Sequence, residues 1–202
     1  MTDGRMERVA DLMREVAAQE ILPRFRALSE GDIEEKSKGD FVTIADRDAE
    51  LWLTPRLEAL VPGSRVLGEE ATAKTPDLLS IVESAEAYWT VDPVDGTGNF
   101  VAGRETFGVM IAFVEGGDVR QAWIYLPVSG DMAMAELGAG AYWHSSGQAS
   151  RMNAFTARSM SALCPRHGAT ASSCLPILCR ANLPTSVRHG TTQNLLVGGR
   201  TL

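Results

Sequence analysis

The chain has 202 residues, 45% of them hydrophobic and 22% charged, so it can bury a core of ordinary size for a soluble globular protein. Its formal net charge of −7 disfavours nonspecific nucleic-acid binding as the main activity. No stretch approaches the roughly 18 consecutive apolar residues of a membrane span, and the first residues lack the apolar core of a secretion signal, so we predict a cytoplasmic protein with no membrane partner.

Two helices are predicted in the first third of the chain. Apolar residues recur at helical spacing over residues 6–17, which predicts an amphipathic first helix. Residues 29–39 are rich in Gly, Ser and charge, which is typical of a solvated loop. A second helix is expected to begin near Asp46, whose carboxylate would cap the first turn, and Pro55 should kink that helix or shift its start.

The most informative segment is residues 89–100, which read WTVDPVDGTGNF. Its first residues are aromatic or β-branched and predict a strand. Asp92 should end this strand, because Pro93 lacks the amide hydrogen that a sheet ladder needs. Asp92 and Asp95 would then meet in a turn, and their carboxylates are hard oxygen ligands that suit Mg²⁺. Gly96 and the residues after it offer backbone amides that can cradle a phosphate.

Two other interpretations of this segment compete with a metal site. Asp-Gly pairs are common in plain hairpin turns, although a turn alone does not account for the whole string. Phosphatases of the haloacid-dehalogenase type also carry a strand that ends in an Asp-Gly-Thr motif, but their nucleophilic Asp lies two residues before the Asp of that motif. The interval here, from Asp92 to Asp95, is three, with Pro93 between them, which disfavours a phospho-aspartate mechanism.

From Thr106 onward the sequence predicts strands. The runs 108–114, 119–125, 132–136 and 141–143 are apolar or alternating, and Gly, Pro and Asp separate them. They predict an antiparallel meander. Together with the preceding helices, this meander predicts an α+β fold built of stacked layers.

These motifs resemble the signature of the inositol monophosphatase family. Residues 89–100 match its Trp-x-x-Asp-Pro-Ile/Leu/Val-Asp-Gly-Thr-x-Asn-Phe, and residues 68–70 match its Gly-Glu-Glu. Residues 40–46 match its Asp-x-Val-Thr-x-Ala-Asp, and the three matches lie in the family's order within roughly residues 5–148. The resemblance implies a layered α/β sandwich of the inositol monophosphatase and fructose-1,6-bisphosphatase type, incomplete at the C-terminus.

The resemblance also implies roles for individual residues. The groups that would bind Mg²⁺ are Glu69, Asp92, Asp95 and the backbone carbonyl of Val94. The amides of Gly96 and Thr97 would hold the substrate phosphate. Thr97, hydrogen-bonded toward Asp46, would orient and deprotonate the attacking water. Glu70 would assist through an outer-shell water, or would simply belong to an acidic pair on the surface.

The function implied by the resemblance is Mg²⁺-dependent hydrolysis of a small phosphate monoester, with inositol monophosphate as the leading substrate. Histidinol phosphate, fructose 1,6-bisphosphate and adenosine 3′,5′-bisphosphate are alternatives, because the family contacts the alcohol largely through its C-terminal half. An alternative of another class is a catalytically impaired, truncated family member. The resemblance also allows a homodimer, and it implies no nucleic-acid partner.

The chain divides near residue 150. Residues 1–150 contain all 26 Asp and Glu residues, whereas residues 151–202 contain six Arg and no acidic residue. The second part has no sustained periodicity, and it lacks the Trp-Asp pair whose Asp completes a metal site in the family. We predict a family-like domain over 1–150 and, over 151–202, a tail that is disordered or differs from the family's C-terminal half. The spacing of Cys164, Cys174 and Cys179 does not predict a zinc site.

Overall fold

The computed structural model describes residues 4–152 of the chain. The helices in this part are α1 (Arg5–Val16, extended by a π-helical turn at Ala17–Ile21), α2 (Ile44–Leu60), α3 (Glu69–Lys74), α4 (Ile81–Ser84) and α5 (Thr97–Val101). The strands are β1 (Ile33–Ser37), β2 (Asp40–Thr43), β3 (Arg65–Gly68), β4 (Ala87–Asp95), β5 (Gly108–Glu115), β6 (Asp118–Leu126), β7 (Asp131–Glu136), β8 (Gly140–Ser145) and β9 (Gln148–Arg151).

Seven strands form one mixed sheet in the order β3-β4-β5-β6-β7-β8-β9. Strands β3 and β4 are parallel, and every later neighbour is antiparallel. The predicted meander and the α+β class are therefore confirmed. The parallel pair at one edge is the feature that the strand pattern did not predict, and it positions the candidate site.

The helices α1 and α2 cover one face of the sheet. The apolar stripe predicted for α1 is buried there, and Trp89, Phe113 and Trp123 are fully buried opposite it. Burial of a side chain such as Phe113 stabilises the fold by roughly 1.5–3 kcal/mol. The indole N–H of Trp123 donates to the backbone carbonyl of Met6 at 3.0 Å, which ties α1 to β6. This helix-and-sheet core is the scaffold on which the end of β4 is held.

The opposite face of the sheet carries smaller side chains. Its buried apolar cluster consists of Met110, Ala112, Ala122, Ile124, Ala133, Ala135, Ala141 and Met152. Alternation along each strand separates this cluster from the larger residues that face α1 and α2. Within the described stretch, no helix is both long enough and apolar enough to cross a membrane.

Two predictions about the first third of the chain need correction. Residues 33–43 form an antiparallel hairpin, so the predicted solvated loop is wrong from Ile33 onward. Gly39 makes the turn with φ of 81°, in the left-handed region that glycine adopts most easily. Helix α2 begins at Ile44 and continues through Pro55. Pro55 has no N–H to donate to the carbonyl of Leu51, four residues earlier. Leu51 is 73% exposed, so this carbonyl lies on the solvent side of the helix.

The predicted tail lies almost entirely beyond the described residues. Arg151 is the last residue of β9, and Met152 is buried against the second sheet face. Residues 153–202 lie outside the described part, and the three cysteines belong to them. The proposed division of the chain near residue 150 therefore stays a prediction.

Candidate active site

The parallel pairing of β3 and β4 brings two acidic residues to the same sheet edge. Gly68 of β3 pairs with Val91 of β4. The residues that follow them in the sequence, Glu69 and Asp92, therefore lie side by side. Glu69 begins α3, while Asp92 continues along β4. Neighbouring strands lie about 5 Å apart, so the two carboxyl groups are close enough to interact directly.

A bulge places Asp92 and Asp95 on one face of the sheet. Asp92 lies opposite Met110 and Asp95 lies opposite Gly108, so three steps along β4 match two steps along β5. Residues directly opposite each other share a face, and so do Met110 and Gly108, which are two apart. The extra residue in β4 therefore reverses the normal alternation and turns both carboxylates the same way.

The same bulge corrects the prediction that Asp92 ends the strand. Strand β4 continues through Pro93 to Asp95. Proline is tolerated in a sheet at a bulge, where the ladder is interrupted and no amide hydrogen is needed. The two aspartates are thus brought together by an irregular strand and not by a turn.

One carboxylate oxygen of Asp92 lies in an unusual environment. The residue as a whole is half-buried, but its Oδ1 is fully buried and has no hydrogen-bond partner within residues 4–152. Burial, and then the charges of Glu69 and Asp95, raise the pKa of Asp92 well above its usual range. Burial also raises the pKa of Glu69. Because a carboxylate is costly to bury beside like charges, this corner of the sheet favours a proton shared between Asp92 and Glu69 or a bound cation.

The carboxylates do not by themselves complete a cation site. Within residues 4–152, no group of three or more His, Cys, Asp or Glu side chains is arranged closely enough to hold a metal ion. A hard cation that keeps most of its waters requires only one or two protein carboxylates. The buried Oδ1 of Asp92, which no group in the described part of the chain satisfies, and the carboxylate oxygens around it fit a cation of that kind.

Asp46 links the start of α2 to the same corner. Its Oδ2 accepts hydrogen bonds from the Thr43 backbone N–H at 2.8 Å and from the Thr43 hydroxyl at 2.5 Å, so Thr43 and not Asp46 is the N-cap. Its Oδ1 accepts from the Thr97 hydroxyl at 3.1 Å. The Thr97 hydroxyl also lies 2.9 Å from the carbonyl oxygen of Val94. Asp46 therefore serves the helix start with one oxygen and faces the site with the other.

The environment of Asp46 changes its acidity. The residue is buried, and burial raises its pKa from the ordinary 3.8 to about 6, although the hydrogen bonds from Thr43 act in the opposite direction. A carboxyl group with a pKa near 6 exchanges its proton close to neutral pH. Asp46 can therefore change its protonation state near neutral pH while it is hydrogen-bonded to the Thr97 hydroxyl.

Glu70 is not part of a surface pair. The residue is buried, and its Oε1 accepts a hydrogen bond from the Lys36 ammonium at 2.7 Å. The same ammonium lies 3.8 Å from Oε1 of Glu69. The surface interpretation of Glu70 is therefore wrong. Lys36 is a site residue that the sequence analysis missed, because it lies on the hairpin that was predicted to be a loop.

Gly96 connects the bulge to α5. It occupies the N-cap position with φ of 86°, and a Cβ there would lie 3.1 Å from the carbonyl oxygen of Thr106. Both the backbone angle and the space require glycine. The side-chain amide of Asn99 donates to that Thr106 carbonyl at 2.8 Å, while Phe100 packs into the core. The residues of the predicted phosphate cradle thus lie at the start of α5, a helix of five residues.

A cleft of about 450 Å³ opens beside the carboxylates. Lys36, Glu69 and Asp92 line its charged side, and Leu67 and Leu79 contribute to its apolar wall. Its volume is in the range of small-molecule sites. The acidic corner is therefore accessible to a ligand from this cleft.

Comparison with known protein families decides the lineage. The model of the inositol monophosphatase family matches residues 5–193. The chain belongs to the inositol monophosphatase family. The match extends well beyond residue 148, where the recognisable motifs end, and it agrees with the three motifs that converge on this corner of the sheet.

The chain is similar in sequence to relatives with different names. The chain is 32% identical over 112 residues to the fructose-1,6-bisphosphatase/inositol-1-monophosphatase of Thermotoga maritima, which covers 54% of this chain and 40% of the relative. It is 36% identical over 111 residues to the inositol-1-monophosphatase of Bacillus subtilis, with the same coverage of 54% and 40%. It is 33% identical over 109 residues to the Nus factor SuhB of Vibrio cholerae, covering 53% of this chain and 38% of the relative.

Solved structures share the fold. The Thermotoga maritima IMPase superimposes with a TM-score of 0.60 at 28% identity, over 71% of this chain and 52% of that one. CysQ of Bacteroides thetaiotaomicron superimposes with a TM-score of 0.53 at 30% identity, over 68% of this chain and 48% of that one. The chain thus spans only about half of the length of these relatives, at 40% of the Thermotoga sequence and 52% of the Thermotoga structure.

Proposed function

We propose that this chain carries the metal and phosphate site of a Mg²⁺-dependent phosphatase that hydrolyses a small phosphate monoester with water as the nucleophile. The observation that supports the proposal most strongly is the buried Oδ1 of Asp92, which has no hydrogen-bond partner within residues 4–152 and lies beside Glu69 and Asp95. Without a cation, these carboxyl groups must either take up protons or repel one another. A hard divalent cation relieves that repulsion.

The ligands of Mg²⁺ would come from Glu69, Asp92, Asp95 and the carbonyl of Val94, of which one or two carboxylates suffice for an ion that keeps most of its waters. Bound there, the ion would act as a Lewis acid that makes a neighbouring water more acidic and offsets the charge of the phosphate. Asp92 and Asp95 would face the ion from one side of the sheet because of the bulge in β4. Glu69 would face it from the first residue of α3.

The proton of the attacking water would leave through Thr97. When the Thr97 hydroxyl donates to Oδ1 of Asp46, its lone pairs are free to accept a hydrogen bond from water. The hydroxyl then takes the proton of the water and passes its own proton to Asp46. With a pKa of about 6, Asp46 holds that proton without binding it too tightly. No phospho-enzyme is required.

The phosphate would rest on the amides of Gly96 and Thr97. The left-handed backbone of Gly96 brings the chain close to the bulge without side-chain bulk. Backbone amides in such a turn form a concave site for anions. Glu70 would assist through an outer-shell water, with Lys36 limiting the negative charge of the pair.

Inositol monophosphate is the leading substrate. The Bacillus subtilis relative is named an inositol-1-monophosphatase, and the Thermotoga maritima relative carries a double name with fructose-1,6-bisphosphatase. Histidinol phosphate, fructose 1,6-bisphosphate and adenosine 3′,5′-bisphosphate are the alternatives to compare. The cleft of about 450 Å³ beside Glu69 has room for a sugar-sized alcohol.

The experiment is phosphate release by the full 202-residue chain from these four substrates, with Mg²⁺ and with a chelator. We expect Mg²⁺-dependent release that Asp95→Asn abolishes. Asp118→Asn is the matched control, because Asp118 is exposed at the start of β6 and far along the chain from the motif. Release that persists in the chelator, or in Asp95→Asn, would contradict the proposal.

The alternative outcome is a folded chain without turnover. The chain covers about half or less of the relatives' length, so a catalytically silent family member is the second candidate. Absence of phosphate release at every Mg²⁺ concentration, in a chain with a cooperative melting transition, would favour it. Light scattering in the same preparation tests the proposed homodimer.

A further inference from the structure

Helix α3 begins without a local cap. The residue before it is Gly68, which has no side chain to accept a hydrogen bond from the first turn. The backbone N–H groups at the start of any helix lack intrahelical partners. Two of them, those of Glu70 and Ala71, donate instead to the two carboxylate oxygens of Glu50, at 2.8 Å and 2.9 Å. A residue of α2 therefore caps α3.

Glu50 is held firmly in this position. The residue is buried, with 7% of its surface exposed, so the two amides are the partners that replace water for its carboxylate. Hydrogen bonds to an ionised acceptor are stronger than those between neutral groups. The carboxylate also complements the partial positive charge at the helix start.

Gly68 makes room for this contact. Its φ of −83° is open to any residue, so the backbone does not require glycine. The space does, because a Cβ at this position would overlap the carboxylate of Glu50. The Glu50 carboxylate would have to shift to clear that Cβ, and the shift would weaken its hydrogen bonds to the two amides. The Gly-Glu-Glu motif at the start of α3 and Glu50 of α2 therefore depend on each other sterically.

We propose that Glu50 is a positioning residue for the acidic pair Glu69 and Glu70, acting through the backbone of the first turn of α3. The inference rests on the proposed function only in assigning a metal to Glu69. Glu69 is the first residue of α3, and the turn that Glu50 anchors sets its distance from Asp92. Groups that orient metal ligands from outside the coordination sphere typically affect metal affinity about 10–100-fold.

The test is a double-mutant cycle with Glu50→Ala, Gly68→Ala and the double variant, made in the full chain. The first readout is hydrogen exchange of the Glu70 and Ala71 amides without metal. Each single variant should speed their exchange at least tenfold. The double variant should match Glu50→Ala, because a Cβ at position 68 has room once the carboxylate is gone.

The second readout is calorimetric titration with Mg²⁺ alone. Both single variants should bind Mg²⁺ about tenfold more weakly than the wild type. Gly68→Ala is the informative one, since it retains the charge of Glu50 and disturbs only its position. Glu58→Gln, on the same helix, is the control for loss of a carboxylate in general, and it should leave both readouts unchanged.

Several results would overturn the inference. Exchange that stays slow in both single variants, or effects that simply add in the double variant, would show that Glu50 does not hold the turn. If Glu50→Ala does not fold, amide exchange in Glu50→Gln and in Gly68→Ala tests whether Glu50 holds the turn. A wild-type chain that binds no Mg²⁺ would sink the proposed function, while the exchange results would still decide whether Glu50 anchors α3.

Discussion

The Thr97 hydroxyl lies 3.1 Å from Oδ1 of Asp46 and 2.9 Å from the carbonyl oxygen of Val94, and it has one proton for these two acceptors. When Asp46 is ionised, it competes for that proton. When Asp46 is protonated, it can donate to Thr97, whose own proton then goes to Val94. The protonation state of one buried carboxyl group therefore sets the direction of the hydrogen bonds at the proposed position of the attacking water.

Thr97→Val should reduce turnover much more than Thr97→Ser. Valine has the shape of threonine but cannot relay a proton, whereas serine keeps the hydroxyl. A positioned proton-transfer group typically contributes roughly 10²–10⁴-fold to the rate, so we expect a loss of about 10² or more in kcat for the valine variant. Phosphate release with the best substrate measures this, and melting temperatures of both variants provide the control. Similar kcat values for Val and Ser would contradict a role for the hydroxyl.

Asp46 should make the metal-free protein less stable as the pH rises. Folding raises its pKa from 3.8 to about 6, so the folded chain binds the proton more tightly than the unfolded chain. This contribution is fully present below pH 3.8 and is lost as the pH rises through 6. At 1.36 kcal/mol per pKa unit, the loss is at most roughly 3 kcal/mol.

Urea denaturation in a chelator, at pH values from 4 to 7.5, measures this loss. The free energy of unfolding should fall less steeply with pH in Asp46→Asn than in the wild type. The comparison between the two proteins is necessary, because burial also raises the pKa values of Glu50 and Glu69 and adds to the wild-type slope. Parallel curves for the two proteins would show that Asp46 does not titrate in this range.

Local patterns carried much of the fold prediction. The apolar stripe of α1 and the runs that became β5, β6, β7 and β8 have periods that reflect one buried face, and each was predicted within a few residues of its observed bounds. The hairpin at residues 33–43 was missed because charged side chains dominate β1, which hides the two-residue period. Its turn glycine, Gly39, was the available signal.

The site depends on features that a local pattern does not contain. The motifs predicted which residues form the site, and that assignment stays a prediction. The approach of Glu69 to Asp92 follows from the parallel register of β3 and β4, and that of Asp95 from a bulge. A sequence specifies register and bulges through long-range packing, so spacing along the chain could not show them. Glu50 and Lys36 were overlooked as site residues for the same reason, since their partners lie 20 and 34 residues away.

Asp92→Asn should stabilise the metal-free protein while removing its response to Mg²⁺. The substitution keeps the shape of the side chain and eliminates a carboxyl group whose pKa burial raises well above its usual range. In the wild type, the Asp92 carboxyl group takes up a proton on folding, so the protein loses stability as the pH rises above about 4. The variant has no carboxyl group at this position and does not show this loss. We expect a gain of about 1–2 kcal/mol near neutral pH, typical of relieving a strained functional site.

Chemical denaturation in a chelator at pH 4 and at pH 7.5 tests this expectation. The gain should be present at pH 7.5 and small at pH 4. In a thermal melt with added Mg²⁺, the wild type should shift upward, since a ligand that binds only the folded state stabilises it, and Asp92→Asn should not shift. A variant that is less stable at pH 7.5 would show that the carboxylate is compensated in the absence of metal.

Lys36→Met should affect stability and metal binding in opposite directions. The Lys36 ammonium lies 2.7 Å from Oε1 of Glu70 and 3.8 Å from Oε1 of Glu69, and it joins the hairpin to α3. Methionine has a similar length but no charge. In the metal-free protein, the substitution removes the ammonium that lies next to Glu69 and Glu70, so the melting temperature should fall. A single charge at about 4 Å is worth roughly 1 kcal/mol even in water, so Mg²⁺ should bind several-fold more tightly.

Lys38→Met is the matched control, because Lys38 is exposed near the turn of the same hairpin. It should leave the Mg²⁺ affinity and the melting temperature close to those of the wild type. Calorimetric titration compares the three proteins, and repeating it at high salt tests the electrostatic origin of the difference, since exposed charges are screened there. Weaker Mg²⁺ binding in Lys36→Met would mean that the ammonium holds Glu69 and Glu70 in their binding positions and does not compete with the cation.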